Sequence, residues 1–425
     1  MNQPNTLSSD STLDEWLVWQ ESCHVKEIDL GLQRVAEVYA RLALSPSSAI
    51  YTITVAGTNG KGSSVAMLES ILLAAGYQVG VYSTPHLISY NERVRLNGRA
   101  VNDSLLSASF ARIDKARETT SLSYFEFGTL AALDIFSQQN VDVQILEVGL
   151  GGRLDAVNII DADAALITTI DVDHIDWLGD DLAGIALEKA GVFRAQQKAV
   201  CADQSVPQSL IAYAAELNTD LLLAGRDFNY QLRVDGWCLA AKHCFADDYR
   251  LPSLLGEHQI QNAAGVISLL AHISDDIPVN QHDLEKGLQT VNLSGRLQRV
   301  SNSPEVYLDV AHNAESALAL LEFIKTKQYN KLQVVFSILA DKDLEKVVRP
   351  FLNIVDHWHI APLNTARAQS IDSLSAYLSD NAALKCSSYE SIAAAFGGAK
   401  GRLKKDDLLV CFGSFYVVEG CLDAL

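Results

Sequence analysis

What most constrains this chain is an alternation of short apolar runs, rich in Val, Ile and Leu, with stretches of helical character. The runs occupy residues 51–56, 79–82, 143–148, 164–170, 198–202, 306–310, 332–336 and 408–412. A strand apolar on both faces leaves no side for water, and strands separated by helices are joined by crossovers. Parallel sheets covered by helices, an α/β class, are therefore expected. The alternation is interrupted between residues 220 and 258, where 230–234 and 236–239 mix polar and apolar residues around turn formers, and this reads as a small β excursion near 225–250. Residues 257–271 and 283–291 are helical in pattern. The sheet signal restarts at Glu305, after the polar segments 293–296 and 301–304, so the expected domains are 1–294 and 295–425. A length of 425 residues gives each of them room for a large core.

Charge narrows the partners. The 33 Lys and Arg against 52 Asp and Glu leave a net -19, a surface that repels nucleic acid and anionic lipid, so an anionic ligand needs a local basic pocket. The cysteines (Cys23, Cys201, Cys238, Cys244, Cys386, Cys411 and Cys421) are scattered without C-x-x-C spacing. Reduced thiols in a cytoplasm are expected, with neither a disulfide framework nor a zinc site. Residues 2–16 are polar and lack the basic and apolar regions of a signal peptide. The longest uncharged span, 70–91, is broken by Gly76, Gln78, Gly80, Ser83 and Pro85, so no segment is expected to span a membrane.

The run 51–56 leads into Gly57-Thr58-Asn59-Gly60-Lys61-Gly62-Ser63-Ser64 and then an apolar helix. Glycines let backbone N–H groups curl round a phosphate, the helix N-terminus adds its positive end, and Lys61 supplies a point charge. The segment is a phosphate-binding loop, although Val55 stands at the usual first glycine and Gly62 separates Lys61 from Ser63. Glu147 lies at the carboxyl end of the run 143–148, where open α/β sheets place ligands, and a carboxylate there can hold Mg²⁺ or simply be solvated. The glycine turn that follows it ends in Arg153-Leu154-Asp155. His174, among Asp171, Asp173 and Asp176, reads either as a metal ligand or base or as an exposed loop histidine. Lys189 ends a helix, where a lysine ordinarily meets the helix dipole. Beyond the boundary, Asp309, His312 and Asn313 follow a strand, as do Asp341, Lys342 and Asp343; site groups and helix caps are both open readings.

Together these segments resemble one family, the bacterial bifunctional folylpolyglutamate synthase/dihydrofolate synthases of the Mur-ligase superfamily. The resemblance rests on AGTNGKGSS (56–64), STPHLISYNERVRLNG (83–98), YFEFGTLAAL (124–133), LEVGLGGRLDAVNI (146–159), DHIDWLG (173–179), EKAGVFR (188–194), SGRLQ (294–298), DVAHN (309–313), LADKD (339–343) and FGSFYVV (412–418), in order along nearly the whole chain. It implies an N-terminal Mur-ligase-type P-loop ATP-binding domain and a smaller Rossmann-like C-terminal glutamate-ligase domain. Gly57, Thr58, Asn59, Gly60, Lys61, Gly62 and Ser63 are similar to the family's ATP loop, with Asn262 and Arg296 as further ATP contacts. Thr84, Glu147 and His174 resemble Mg²⁺ positions, for a pair of ions, and Lys189 the lysine that is carbamylated; a monovalent cation is also implied. Asp309 and His312 resemble groups that meet nucleotide and incoming glutamate. Lys342 belongs with the substrate-binding residues, and Pro85, His86, Arg93, Arg95, Phe125 and Asp155 resemble the pterin side. Thr84 replaces a common Ser, and Ser294 and Ala314 replace family prolines, without removing a reacting group.

The activity so implied is ATP-dependent addition of L-glutamate to dihydropteroate and then to reduced folates, through an acyl phosphate, by a cytoplasmic monomer. A monofunctional synthase of either kind is the nearest alternative. A cell-wall Mur ligase is disfavoured because only about fifty residues precede the ATP loop, too few for a UDP-binding domain. A P-loop ATPase switch would turn over nucleotide without pterin or glutamate.

Overall fold

Runs that are apolar on both faces become the middle of two sheets. The computed structural model describes residues 7–24, 29–44, 50–241, 248–381 and 385–425; Cys244, residues 2–6 and residues 242–247 of the excursion lie outside them. The chain divides into two compact units, Met1–Ser253 with Ile260–Val291, and Leu254–Gln259 with Asn292–Leu425.

In the first unit, β1 (Tyr51–Ala56) is buried at every residue after Tyr51. It lies between β5 (Val143–Glu147) and β6 (Ala164–Ile167), both parallel to it, with Ile53 facing Ile145 on one side and Ala164 on the other. The sheet continues outward through β2 (Val79–Tyr82), β3 (Val94–Leu96) and β4 (Arg99–Ala100) on one side, and β7 (Lys198–Cys201) and β8 (Asp220–Leu223) on the other. Its order is β4-β3-β2-β5-β1-β6-β7-β8, with the pairs β2–β3 and β3–β4 antiparallel and the others parallel. Chain leaving β1 turns one way along the sheet and chain leaving β6 the other, so a crevice opens at their carboxyl ends. The helix Lys61–Ala74 leaves β1 with most of its residues buried, and Ser70 Oγ donates to Gly287 O (2.8 Å) on the helix Gln281–Thr290 packed against it. Between these elements, β9 (Phe228–Arg233), β10 (Gly236–Ala241) and β11 (Asp248–Tyr249) form a separate antiparallel sheet, closed by Trp237 stacking on Tyr249 at 5.0 Å.

The second unit holds β12 (Gln298–Asn302), β13 (Glu305–Leu308), β14 (Leu332–Phe336), β15 (His357–Ile360), β16 (Lys385–Ser388) and β17 (Leu408–Phe412), in the order β12-β13-β17-β14-β15-β16. All neighbours are parallel except β12 and β13. Tyr307, Phe336, Phe351, Trp358 and Phe412 fill its core. No helix among the described residues is long and apolar enough to cross a membrane. Cys23, Cys201, Cys238, Cys386, Cys411 and Cys421 carry free thiols.

Candidate active site

The glycine-rich loop is held from below by the end of β6. Thr58 N donates to Thr169 O (2.7 Å), Asn59 N to Thr169 Oγ1 (3.1 Å), and Thr168 Oγ1 to Asn59 O (2.6 Å). Gly57 has φ +146° and lies so close to Thr168 that any Cβ would strike its hydroxyl; Gly60, at φ +85°, is pressed in the same way against the Asn262 side chain. The fold thus requires glycine at both turns and brings Asn262, 4% exposed, onto the loop. Lys61 Nζ folds back onto Gly57 O (2.9 Å) and Thr58 O (3.0 Å), so its charge stands over the loop. Thr168 and Thr169 are supports that sequence reading passed over; adjacent hydroxyls at a strand's carboxyl end, in Ile167-Thr168-Thr169, were the available signal.

Register places Glu147, 4% exposed, opposite Val55, and so beside the start of this loop. Beyond it the glycine turn is organised by Asp155, whose carboxylate accepts from Gly149 N (3.0 Å), Leu150 N (2.9 Å) and Val157 N (3.0 Å). Burial pushes that carboxyl up to about 6, against the pull of those amides. The same turn is fastened to the end of the helix Leu182–Ala190: Arg153 N donates to Glu188 O (2.8 Å), and Arg153 pairs with the Glu188 carboxylate at 2.8 Å. This brings Lys189, 3% exposed, to the glycine turn. Gly57, Thr58, Lys61, Gly149, His174 and Lys189 line one cleft. His174 stands at its exposed rim in a left-handed conformation, φ +54°.

Thr84 N donates to Glu147 Oε2 at 3.3 Å, which joins the segment after β2 to this site. A hydroxyl and a buried carboxylate are hard oxygen donors, suited to a small divalent cation that takes its other ligands from phosphate and water. No three His, Cys, Asp or Glu residues among those described gather into a cage of their own. Past Pro85, His86 Nδ1 accepts from Arg93 Nε (2.8 Å), and burial together with that guanidinium pushes the imidazole down to about 4. Arg93 lies 5.2 Å over both the Tyr90 and Tyr124 rings, while Phe125 meets Tyr82 at 5.8 Å and packs on Gly149. Arg95 instead pairs with buried Glu69 at 2.9 Å and donates to Ser83 Oγ (2.9 Å).

In the second unit, Asp309 follows β13 and accepts from Leu297 N and Ala311 N, both at 2.8 Å. Burial pushes its carboxyl up, opposed by the Leu297 amide and Arg296. His312 Nδ1 meets Val310 O at 2.7 Å; a carbonyl only accepts, so Nδ1 carries a proton. Arg296 lies 5.2 Å over the Phe415 ring, and His312 is 6.3 Å from the same ring. Phe415 was not singled out from the sequence, although the segment FGSFYVV contains it. Asn313 and Asp343 cap the helices Ala314–Lys325 and Leu344–Val348. Lys342 closes the turn from Leu339 beyond β14, with its N–H on Leu339 O (3.2 Å).

A P-loop braced by a parallel sheet, followed by a second parallel α/β unit with its polar groups at the strand ends, is the arrangement of a Mur ligase. The Mur ligase middle domain matches residues 55–270 and the Mur ligase glutamate ligase domain matches residues 295–415. Within that class the chain belongs to the dihydrofolate synthase/folylpolyglutamate synthase family: it is 40% identical to the Escherichia coli protein of that name over 422 residues, covering 99% of this chain and 97% of the relative. The fold agrees with the structure of E. coli FolC in complex with DHPP and ADP, at TM-score 0.92 and 40% identity over 98% of both chains. It agrees also with that of a bifunctional folylpolyglutamate synthase/dihydrofolate synthase with Mn, AMPPNP and L-glutamate bound, at TM-score 0.90 and 39% identity over 99% of both.

Proposed function

We propose that this chain is an ATP-dependent amide ligase that joins L-glutamate to dihydropteroate, forming dihydrofolate, and adds further glutamates to reduced folates. The observation that carries this reading is the cleft lined by Lys61, the glycine turn, His174 and Lys189, in a chain that matches this family over 99% of its length. The folate carboxylate attacks the γ-phosphorus, a carboxyl O–P bond forms, the bond to the β-phosphate oxygen breaks, and ADP leaves. The amine of glutamate then attacks the acyl carbon, and the tetrahedral oxyanion expels phosphate as the amide forms.

Charge spreads over the transferring phosphoryl group in the first step, and the loop N–H groups and Lys61 stabilise it from fixed positions. Lys61 exchanges its bonds to Gly57 O and Thr58 O for phosphate oxygens, so little reorganisation is required. Arg296 adds a second cation, and Asn262 steadies the loop at Gly60. Glutamate reacts only as a neutral amine; His312 takes the proton, and Asp309 and Lys342 hold nucleotide and substrate charges near it. Pro85, His86, Arg93, Phe125 and the Asp155 turn take the pterin side.

A divalent cation belongs to the reaction, and Thr84, Glu147 and His174 are its protein ligands, in our reading for a pair of Mg²⁺ ions. When bound it neutralises phosphate charge. Lys189 and Lys61 line the same cleft, where two ammonium groups repel. Reaction of neutral Lys189 with CO₂, releasing one proton, turns that repulsion into attraction and supplies an oxygen donor. A monovalent cation, a monomeric state and a cytoplasmic location complete the proposal. The direct test is ADP release. Dihydropteroate, glutamate and ATP together should release ADP, and omission of either the pterin or glutamate should abolish sustained turnover. Equal ADP release without them would favour an ATPase and refute the ligase.

A further inference from the structure

The segment between β2 and β3 is fixed at two places, with Pro85 and His86 between them. At its start, Ser83 is held by Arg95 and the Thr84 amide by Glu147. At its far end one carboxylate gathers three consecutive amides: Glu92 Oε2 accepts from Leu87 N (2.9 Å), and Oε1 accepts from Ile88 N (2.9 Å) and Ser89 N (2.8 Å). Capping the short 3₁₀ turn Tyr90–Arg93 requires only the Ser89 amide. The Leu87 and Ile88 amides lie outside that turn and directly follow His86. Their capture fixes a loop that turns Leu87 inward, 8% exposed, and leaves Ile88 58% exposed. A glutamine offers one acceptor oxygen where this geometry uses two, and an aspartate is one methylene short. Arg93, next in sequence, does not pair with Glu92 but donates to His86.

We propose that Glu92 is a positioning residue for the acid substrate: its carboxylate clamp sets the 87–89 backbone, and through it Pro85 and His86, in the conformation that receives the pterin-bearing acid. This rests on the reading that Pro85 and His86 face that substrate. A loop already ordered spares the substrate the cost of ordering it, so loss of the clamp weakens capture of the acid more than that of ATP.

The experiment uses the full-length chain and the variants Glu92→Gln and Ser89→Ala, with melting curves, steady-state kinetics and hydrogen exchange at residues 87–89. Wild-type turnover of dihydropteroate is measured first, which separates a failure of the ligase reading from a failure of this one. Glu92→Gln should lower kcat/KM for dihydropteroate by about 10- to 100-fold, mainly through KM, with KM for ATP within about twofold of wild type. Exchange at 87–89 should speed up while β1 and the helix Lys61–Ala74 keep wild-type protection. Ser89→Ala, which leaves the clamp in place, should keep the wild-type KM for dihydropteroate. Faster exchange at 87–89 with an unchanged KM for dihydropteroate would overturn the proposal. So would an equal loss for both substrates, or an equal effect of Ser89→Ala.

Discussion

At the scale of single residues, the candidate site is a problem of placing positive charge in a protein whose net charge is -19. Lys61 is the group whose removal is most readily interpreted, because its ammonium is already positioned by the carbonyls of its own loop. Lys61→Ala should lower kcat by at least about a hundredfold in the ADP-release assay, the scale for one preorganised charge on a transferring group. Lys189 admits a sharper test. Lys189→Ala should be nearly inactive, and formate or acetate should restore part of the rate by placing a carboxylate in the vacated space; normal activity of the variant, with electron density for an unmodified ammonium at 189 in a nucleotide-bound, bicarbonate-supplied wild-type crystal, would exclude the carbamate. What sequence could say of such residues depended on how local their partners are. The glycines of the ATP loop announce themselves by their spacing. Arg95, read beside Arg93 as part of the pterin side, is committed to Glu69, 26 residues away in the chain and adjacent only once β3 lies near the helix Lys61–Ala74. The Glu92 clamp left a local trace, since Ser89 and Glu92 have capping-box spacing, but its extension to Leu87 and Ile88 depends on the turn of the loop.

At the scale of elements, strands were legible where burial on both faces forces an apolar run, as in β1, β5, β14 and β17. They were missed where polar side chains are buried in pairs or where a strand lies at an edge. β12 (Gln-Arg-Val-Ser-Asn) and β16 (Lys-Cys-Ser-Ser) are edge strands of the second sheet. β15 reads His-Trp-His-Ile yet is interior: His359 is fully buried, with Nε2 at 2.9 Å from Gln333 Oε1 and Nδ1 at 3.0 Å from Tyr389 OH. The amide oxygen only accepts, so Nε2 carries a proton. Burial, then His357 and Arg402, push His359 down to about 3, against about 6.5 in an unfolded chain. Between those values the unfolded state takes up a proton that the native ring refuses. The stability due to the neutral ring is therefore complete above pH 6.5 and is lost as pH falls toward 3. His359→Gln should cost stability at pH 7.5, and its deficit relative to wild type in urea unfolding should shrink by on the order of 1–2 kcal/mol at pH 5. A deficit that does not change with pH would contradict a native ring held neutral.

At the scale of the whole molecule, both additions of glutamate are assigned to one chain. Mass spectrometry of the products decides this: dihydropteroate should gain one glutamate, and a reduced folate should gain one or more. Extension of dihydropteroate alone would leave a dihydrofolate synthase only. The division of the chain bears on a different matter, the history of such a protein. Residues 254–259 group with 292–425, although 260–291 lie between them in sequence, so the backbone passes from one unit to the other three times. Among those six residues is His258, on which Arg296 acts electrostatically, and Gly256, which packs near Leu297. A recombination event with one crossover near residue 295 would therefore transplant an incomplete unit and leave His258 and Gly256 behind in the recipient. Exchange of the whole unit between relatives demands three coordinated junctions, and chimaeras joined at a single point should inherit mismatched neighbours around Arg296.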